Sequence, residues 1–217
     1  MRIVVYGTGG VGGYFGGRLA EAGEDVTFVA RGEHLRAIKA SGLRVDSPNG
    51  DFVIYPARAT DNVNEAGETD LVILGVKAWQ VPDAARAIKP IVGPTTTVLP
   101  LQNGVDAVPQ LVAELGSRNV IGGLCRIVSF VVEPGHIRHA GFAPTIIIGE
   151  LDNRRTERIT KIEEVSSTPA WTQPSPQIFK SRSGRSFFSS RRLVASEHWR
   201  TRPPEFFAQI RNGAHKC

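Results

Sequence analysis

Cysteine is scarce in this 217-residue chain: only Cys125 and Cys217 occur, too few for a disulfide framework and in no metal-ligand spacing. A small cross-linked secreted scaffold is excluded, a reducing compartment is favoured, and Cys125 is expected to be a buried thiol. No apolar stretch reaches the roughly 18 residues of a membrane helix. The chain enters an apolar strand at once, without the regions of a signal peptide, so a cytoplasmic location is expected. At this length the chain exceeds one mononucleotide-binding unit but falls short of two full domains.

Glycine, by contrast, is concentrated. An apolar strand at residues 2–6 runs into Gly7, Thr8, Gly9, Gly10, Val11, Gly12 and Gly13, and helical spacing follows over 14–22. This G-x-G-x-x-G pattern, placed between a strand and a helix, has the context of a dinucleotide-binding turn. Gly7 allows a sharp exit from the strand, Gly9 leaves room for a pyrophosphate, and Gly12 lets the helix lie close to the sheet. N–H groups and the positive end of the helix dipole would meet the phosphates. Residues 7–12 are therefore the expected cofactor contacts.

The second strand, at 25–30, ends in Arg31 rather than in the acid that accepts hydrogen bonds from an NAD ribose. A guanidinium attracts a 2'-phosphate and grips it with paired donors. NADP is favoured over NAD, with nearby Glu33 as the residue that keeps the choice open.

Further along, 43–46 and 52–55 flank an Asn49-Gly50 turn and read as a hairpin. Continuous apolar runs at 70–76 and 96–101 read as buried parallel strands, alternating with helices near 81–88 and 105–115. The rhythm predicts an α/β fold, a Rossmann-type doubly wound and mostly parallel sheet. Residues 119–149 are strand-rich and read as its antiparallel extension. His136 and His139 there are expected to be exposed strand residues on opposite faces rather than metal ligands. Residues 152–165 read as a charged helix capped by Asp152. Ligands of such sheets sit at the carboxyl ends of the strands, where two short motifs fall: Lys77-Ala78-Trp79-Gln80 and Gln102-Asn103-Gly104.

The glycine turn, Arg31, the K-A-W-Q segment at Lys77 and the N-G segment at Asn103 together resemble the ketopantoate reductase (2-dehydropantoate 2-reductase) family, from Met1 to about Val165. The resemblance implies NADPH as cofactor, a 2-oxo acid as small-molecule partner, and pantothenate biosynthesis as the setting. It also implies that Lys77 and Asn103 lie by the nicotinamide and the keto acid, and it allows a homodimer in the intact family member. Alternatives are a non-catalytic NADP-binding remnant and a dehydrogenase acting on another hydroxy acid or a sugar phosphate.

After Val165 the composition changes. Residues 166–217 hold nine Lys/Arg against two acids, a net +7, whereas residues 1–165 sum to −2. The tail has nine serines, five prolines, one leucine and one valine, and such a composition does not bury enough apolar surface to fold alone. Positive charge with interleaved aromatics also fits a nucleic-acid arm or a membrane-surface segment, but composition is weak support for either, and neither partner is expected. The resembling family continues here into a helical domain that supplies a catalytic lysine, absent in this frame, so the catalytic residue is unknown. Residues 182–191 are compatible with codons that, read from the third nucleotide, give Leu-Trp-Glu-Lys-Phe-Leu-Phe-Ile-Ala-Ser, similar to the family's lysine-bearing helix. The expectation is an NADP-binding domain over 1–165, a reading-frame break after Val165, and a catalytically incomplete chain.

Overall fold

The computed structural model describes residues 1–165. The expectations for 166–217, including the basic tail, the displaced lysine helix and the Cys217 thiol, lie outside the described residues.

The apolar run of β1 (Arg2–Tyr6) is buried on both faces because it sits at the centre of a five-stranded parallel sheet. Its neighbours are β2 (Asp25–Val29) and, outside it, β5 (Arg58–Thr60) on one side, and β6 (Leu71–Leu74) and then β7 (Thr97–Pro100) on the other. All four pairings are parallel. The chain winds outward from β1 in one direction and then in the other, so the topology reverses between β1 and β6, the place where open α/β sheets bind ligands.

Alternation along the strands builds two cores. Ile3, Val5, Phe28, Leu71, Ile73 and Leu99 face α1 (Gly10–Glu21), meeting Tyr14, Phe15 and Leu19. Val4, Tyr6, Val72 and Leu74 face the other way, onto Val81, Ala84, Ala85 and Ile88 of α3 (Val81–Ile88) and Leu111 of α4 (Ala107–Leu115). Fully burying each of these larger side chains contributes about 1.5–3 kcal/mol. On α2 (Gly32–Ser41) only Leu35 and Ile38 are buried, one stripe of an otherwise solvated helix.

The expected hairpin forms: β3 (Leu43–Asp46) pairs antiparallel with β4 (Phe52–Ile54). The strand-rich segment also forms as a long antiparallel pair, β8 (Gly122–Glu133) with β9 (His136–Gly149). The two hairpins unite through a parallel β3–β9 pairing, Arg44 opposite His136, into a second, mixed sheet ordered β4-β3-β9-β8. It is linked to the parallel sheet by a bridge between Val98 and Val120. Helix α1 lies between the two sheets. Its buried Arg18 donates to the Asn49 and Gly50 carbonyls at 3.2 and 2.7 Å, and its guanidinium stacks 4.3 Å over the Phe52 ring, clamping the hairpin turn.

Two local expectations are corrected. The last helix, α5, is Glu157–Val165, and Asp152 does not cap it: the carboxylate accepts from the Arg154 backbone and guanidinium in a preceding turn. His139 is not exposed but 2% accessible. Its Nε2 donates to the Phe142 carbonyl at 3.0 Å, its Nδ1 meets the Ser47 hydroxyl at 2.8 Å, and its ring packs on Tyr14. His136 is largely covered too, with Nε2 2.8 Å from an Asp46 carboxylate oxygen. The parallel β3–β9 pairing brings cover to both, a contact between segments some ninety residues apart that local pattern does not reveal.

Candidate functional site

Four strands of the parallel sheet end level with one another: Tyr6 pairs with Val29 and with Leu74, and Leu74 pairs with Pro100. Every segment expected from sequence to meet cofactor or substrate leaves from this row. The glycine turn follows Tyr6, Arg31 lies two residues past Val29, Lys77 three past Leu74, and Asn103 three past Pro100. One edge of one sheet therefore collects them.

Gly7 turns the chain with φ +97°, a conformation closed to side chains at modest cost, and its N–H and that of Thr8 both donate to the Val29 carbonyl, at 3.2 and 3.1 Å. Thr8 is buried, with its hydroxyl on the same carbonyl at 3.0 Å, so this side chain faces the protein. A methyl on Gly12 would collide with the Gly7 carbonyl oxygen. Gly10 is closed by packing as well, because a Cβ there would lie 2.5 Å from the Ser129 carbonyl oxygen of β8. Val11 is half-buried against the core. Gly9 differs from all of these: nothing lies within 4 Å of the position its Cβ would take. The open face of the turn is at Gly9, next to the first N–H groups of α1, which have no partners inside the helix. This is a cradle suited to a phosphate.

Arg31 stands immediately before α2, exposed, and among the described residues its guanidinium bonds only the Tyr6 hydroxyl, at 3.4 Å. Glu33, which would have competed with a phosphate, is turned to Arg36, to whose guanidinium both of its oxygens are bonded. The guanidinium of Arg31 is thus left with donors to spare. Lys77 is exposed and forms no ion pair among the described residues. Its backbone N–H donates to the Gln80 side chain at 3.1 Å, which closes the K-A-W-Q turn on itself. Trp79, 77% accessible, and Val105, 43%, offer apolar surface in the same two loops as Lys77 and Asn103. Asn103 is exposed in the loop before α4.

Three contributors were not recognised from sequence. Gly75 directly follows β6, where a Cβ would lie 2.5 Å from the Gly7 carbonyl oxygen and 2.8 Å from Gly12 Cα, so the turn, the helix and the exit of the neighbouring strand meet at three glycines. The buried amide of Gln102 donates to the Leu74 and Val76 carbonyls at 2.7 and 3.0 Å, tying the Lys77 loop to the Asn103 loop. His34 donates to the Thr8 carbonyl, 2.7 Å away. The adjacency of Gln102 to Asn103 was a usable signal; the other two contacts are visible only in space. Cys125 is buried beneath the same loop, as expected, with Sγ 3.3 Å from the Leu101 carbonyl and burial pushing its thiol up to about 11.

Residues 3–153 match the family described as ketopantoate reductase PanE/ApbA. Over 167 residues the chain is 36% identical to an uncharacterized oxidoreductase, YkpB, of Bacillus subtilis, covering 77% of this chain and 54% of that protein. It is 34% identical over 185 residues to a 2-dehydropantoate 2-reductase of Mesorhizobium japonicum, covering 76% and 56%. The crystal structure of 2-dehydropantoate 2-reductase from Geobacter metallireducens superposes with a TM-score of 0.72 at 36% identity, covering 76% of this chain and 54% of that one. The chain thus spans about half the length of the relatives it matches. It belongs to the ketopantoate reductase family.

Proposed function

We propose that residues 1–165 form an NADPH-binding domain of a 2-dehydropantoate 2-reductase, an enzyme that reduces a 2-oxo acid to the 2-hydroxy acid in the cytoplasm. The observation that carries this reading is the level row of strand ends, which brings the open side of Gly9, the uncommitted Arg31, Lys77 and Asn103 to one edge of the sheet. Bound NADPH supplies the hydride. The chain's own residues divide the remaining work. N–H groups at the start of α1 hold the pyrophosphate, and Arg31 holds the 2'-phosphate through charge-assisted paired donors. The Lys77 ammonium attracts the substrate carboxylate, and the Asn103 amide orients the reacting partners without competing for protons. Gln102 keeps those two loops at a fixed separation.

The alkoxide formed at the keto carbon needs a proton, and a positioned acid contributes about 10²- to 10⁴-fold. No side chain at this edge is assigned that task. In our reading it falls to residues beyond Val165, whose basic, serine-rich sequence departs from the family's lysine-bearing helix in this frame. The chain as written then binds NADPH and turns over ketopantoate negligibly, and the domain division is 1–165 and 166–217.

Fluorescence titration of the full chain with NADPH and NADH, beside a ketopantoate-dependent NADPH oxidation assay, tests both halves of the proposal. Tight NADPH binding with weak NADH binding and negligible turnover is expected. Failure to bind NADPH refutes the cofactor assignment, and robust turnover refutes the incompleteness. A transcript incompatible with the shifted codons refutes the reading-frame break.

A further inference from the structure

The second sheet, whose β8 backbone packs on the glycine turn at Gly10, is also linked to that turn by hydrogen bonds through a side chain of α2. His34, in the first turn of α2, has both ring nitrogens engaged: the Gly135 N–H donates to Nδ1 at 3.0 Å, and Nε2 lies 2.7 Å from the Thr8 carbonyl oxygen. An Nδ1 that accepts carries no proton, so the proton is on Nε2, and Nε2–H donates to Thr8. Burial accordingly holds the His34 pKa below its ordinary value, only partly offset by the Thr8 bond. Gly135 is itself anchored in the β8–β9 turn, where its carbonyl accepts from the Arg44 backbone at 2.9 Å.

The acceptor is the carbonyl of the Thr8–Gly9 peptide. In a planar trans peptide the C=O and N–H point in opposite directions. Fixing the Thr8 oxygen toward His34 therefore turns the Gly9 N–H away from it. On the preceding side, the Thr8 N–H and hydroxyl are held by the Val29 carbonyl, so the His34 bond completes the restraint of this residue. Gly9 has no Cβ, and no atom lies within 4 Å of where one would stand; its own carbonyl, on the following peptide, accepts from the Gly13 N–H at 2.7 Å.

Building on the NADPH reading above, we propose that His34 is a positioning residue for the cofactor pyrophosphate: it holds the Thr8–Gly9 peptide with its N–H presented to the phosphate, using Gly135 of the second sheet as its backstop. The mixed sheet thereby contributes to nucleotide affinity without contacting the nucleotide. The Arg31 guanidinium, on the Tyr6 hydroxyl, shares no hydrogen bond with this linkage.

The test uses the full chain with two substitutions. In His34→Asn the side-chain oxygen replaces Nδ1 toward Gly135 but is too short to reach Thr8. In His34→Gln the longer side chain places an amide N–H where Nε2–H stood. Dissociation constants are measured for NADPH, by fluorescence, and for adenosine 2'-monophosphate, which lacks the pyrophosphate, by calorimetry, with thermal melting of each variant alongside. His34→Asn is expected to weaken NADPH about five- to tenfold, the value of one oriented hydrogen bond. Adenosine 2'-monophosphate should stay within about twofold on the same scale, and His34→Gln should restore most of the NADPH affinity. Unchanged NADPH affinity in His34→Asn overturns the proposal, as does equal loss of both ligands, which would signify a purely structural role, or failure of His34→Gln to restore binding. A wild-type chain that does not bind NADPH overturns the cofactor reading and this proposal together, which separates the two failures.

Discussion

Alanine at Gly9 and alanine at Gly12 should have opposite consequences, although both positions belong to the same motif. At Gly12 the new methyl meets the Gly7 carbonyl oxygen, backbone that is itself held by the Val29 carbonyl, with Val5 Cγ1 3.1 Å away on the other side. Relief requires α1 to move off the sheet, and overpacking of this kind costs about 1–3 kcal/mol, occasionally more. For a domain of this size that corresponds to a fall in melting temperature of roughly 2–4 °C per kcal/mol. At Gly9 the backbone is extended, with φ −83° and ψ −163°, and no atom lies within 4 Å of the new methyl. Alanine there fits the fold and removes unfolded-state freedom, so stability should be unchanged or higher by up to about 1 kcal/mol. The methyl instead occupies the space proposed for the pyrophosphate. Displacing one or two charge-assisted hydrogen bonds worth about 1.5–3 kcal/mol each should weaken NADPH by about 10- to 100-fold or more. Differential scanning fluorimetry and fluorescence titration on the two variants read the two effects separately. A Gly9→Ala variant that binds NADPH as tightly as the wild type would refute the assignment of the open face to the pyrophosphate.

Arg31→Gln should weaken NADPH about 10- to 100-fold, by loss of charge-assisted donors, and leave NADH nearly unchanged; equal loss of both cofactors in titration would remove the 2'-phosphate from Arg31. Cys125, with its thiol raised to about 11 by burial, should resist a thiol reagent at pH 8 in a Cys217→Ser background and react fully once denatured; rapid native labelling would contradict its burial. At Glu150, burial acts to raise the pKa, but hydrogen bonds from Arg158 and Thr156 outweigh it and hold the carboxyl below its ordinary value of 4.5. A depressed folded-state pKa means stability that is present above about pH 4.5 and lost as pH falls through the lower folded value. The stability gap between wild type and Arg158→Gln in urea should therefore be largest near neutrality and shrink below pH 4.5, and a pH-independent gap would show that Arg158 acts through packing instead.

What was legible in the sequence was local. The strand, glycine turn and helix of residues 2–21 are contiguous, and the 43–54 hairpin is set by Asn49-Gly50; helix α3 spans its expected residues because its apolar positions repeat at helical spacing. The misreading of the histidines came from a nonlocal contact, that of Asp152 from a neighbour two residues away. His136 and His139 alternate along a strand as expected, yet β3, some ninety residues earlier, covers them. Asp152 has the chemistry of a cap, but Arg154 claims its carboxylate before the helix begins. The candidate site divides in the same way: each residue proposed for the cofactor could be nominated from its own segment, whereas Gly75, Gln102 and His34 act by touching other segments.

That division bears on what the glycine motif itself signifies. Gly7, Gly10 and Gly12 are required by the fold: a positive φ, the backbone of β8 and the Gly7 carbonyl respectively leave no space for a side chain. A protein with this architecture and no ligand at all would need them equally. Gly9 has neither a positive φ nor a neighbour, so packing gives it no advantage, while its unfolded-state freedom makes it less stabilising than alanine. The residue that the fold does not need is the one we assign to the pyrophosphate. Of the four glycines, Gly9 alone separates a nucleotide-binding turn from a merely structural one, and it does so whether or not the chain completes the reduction.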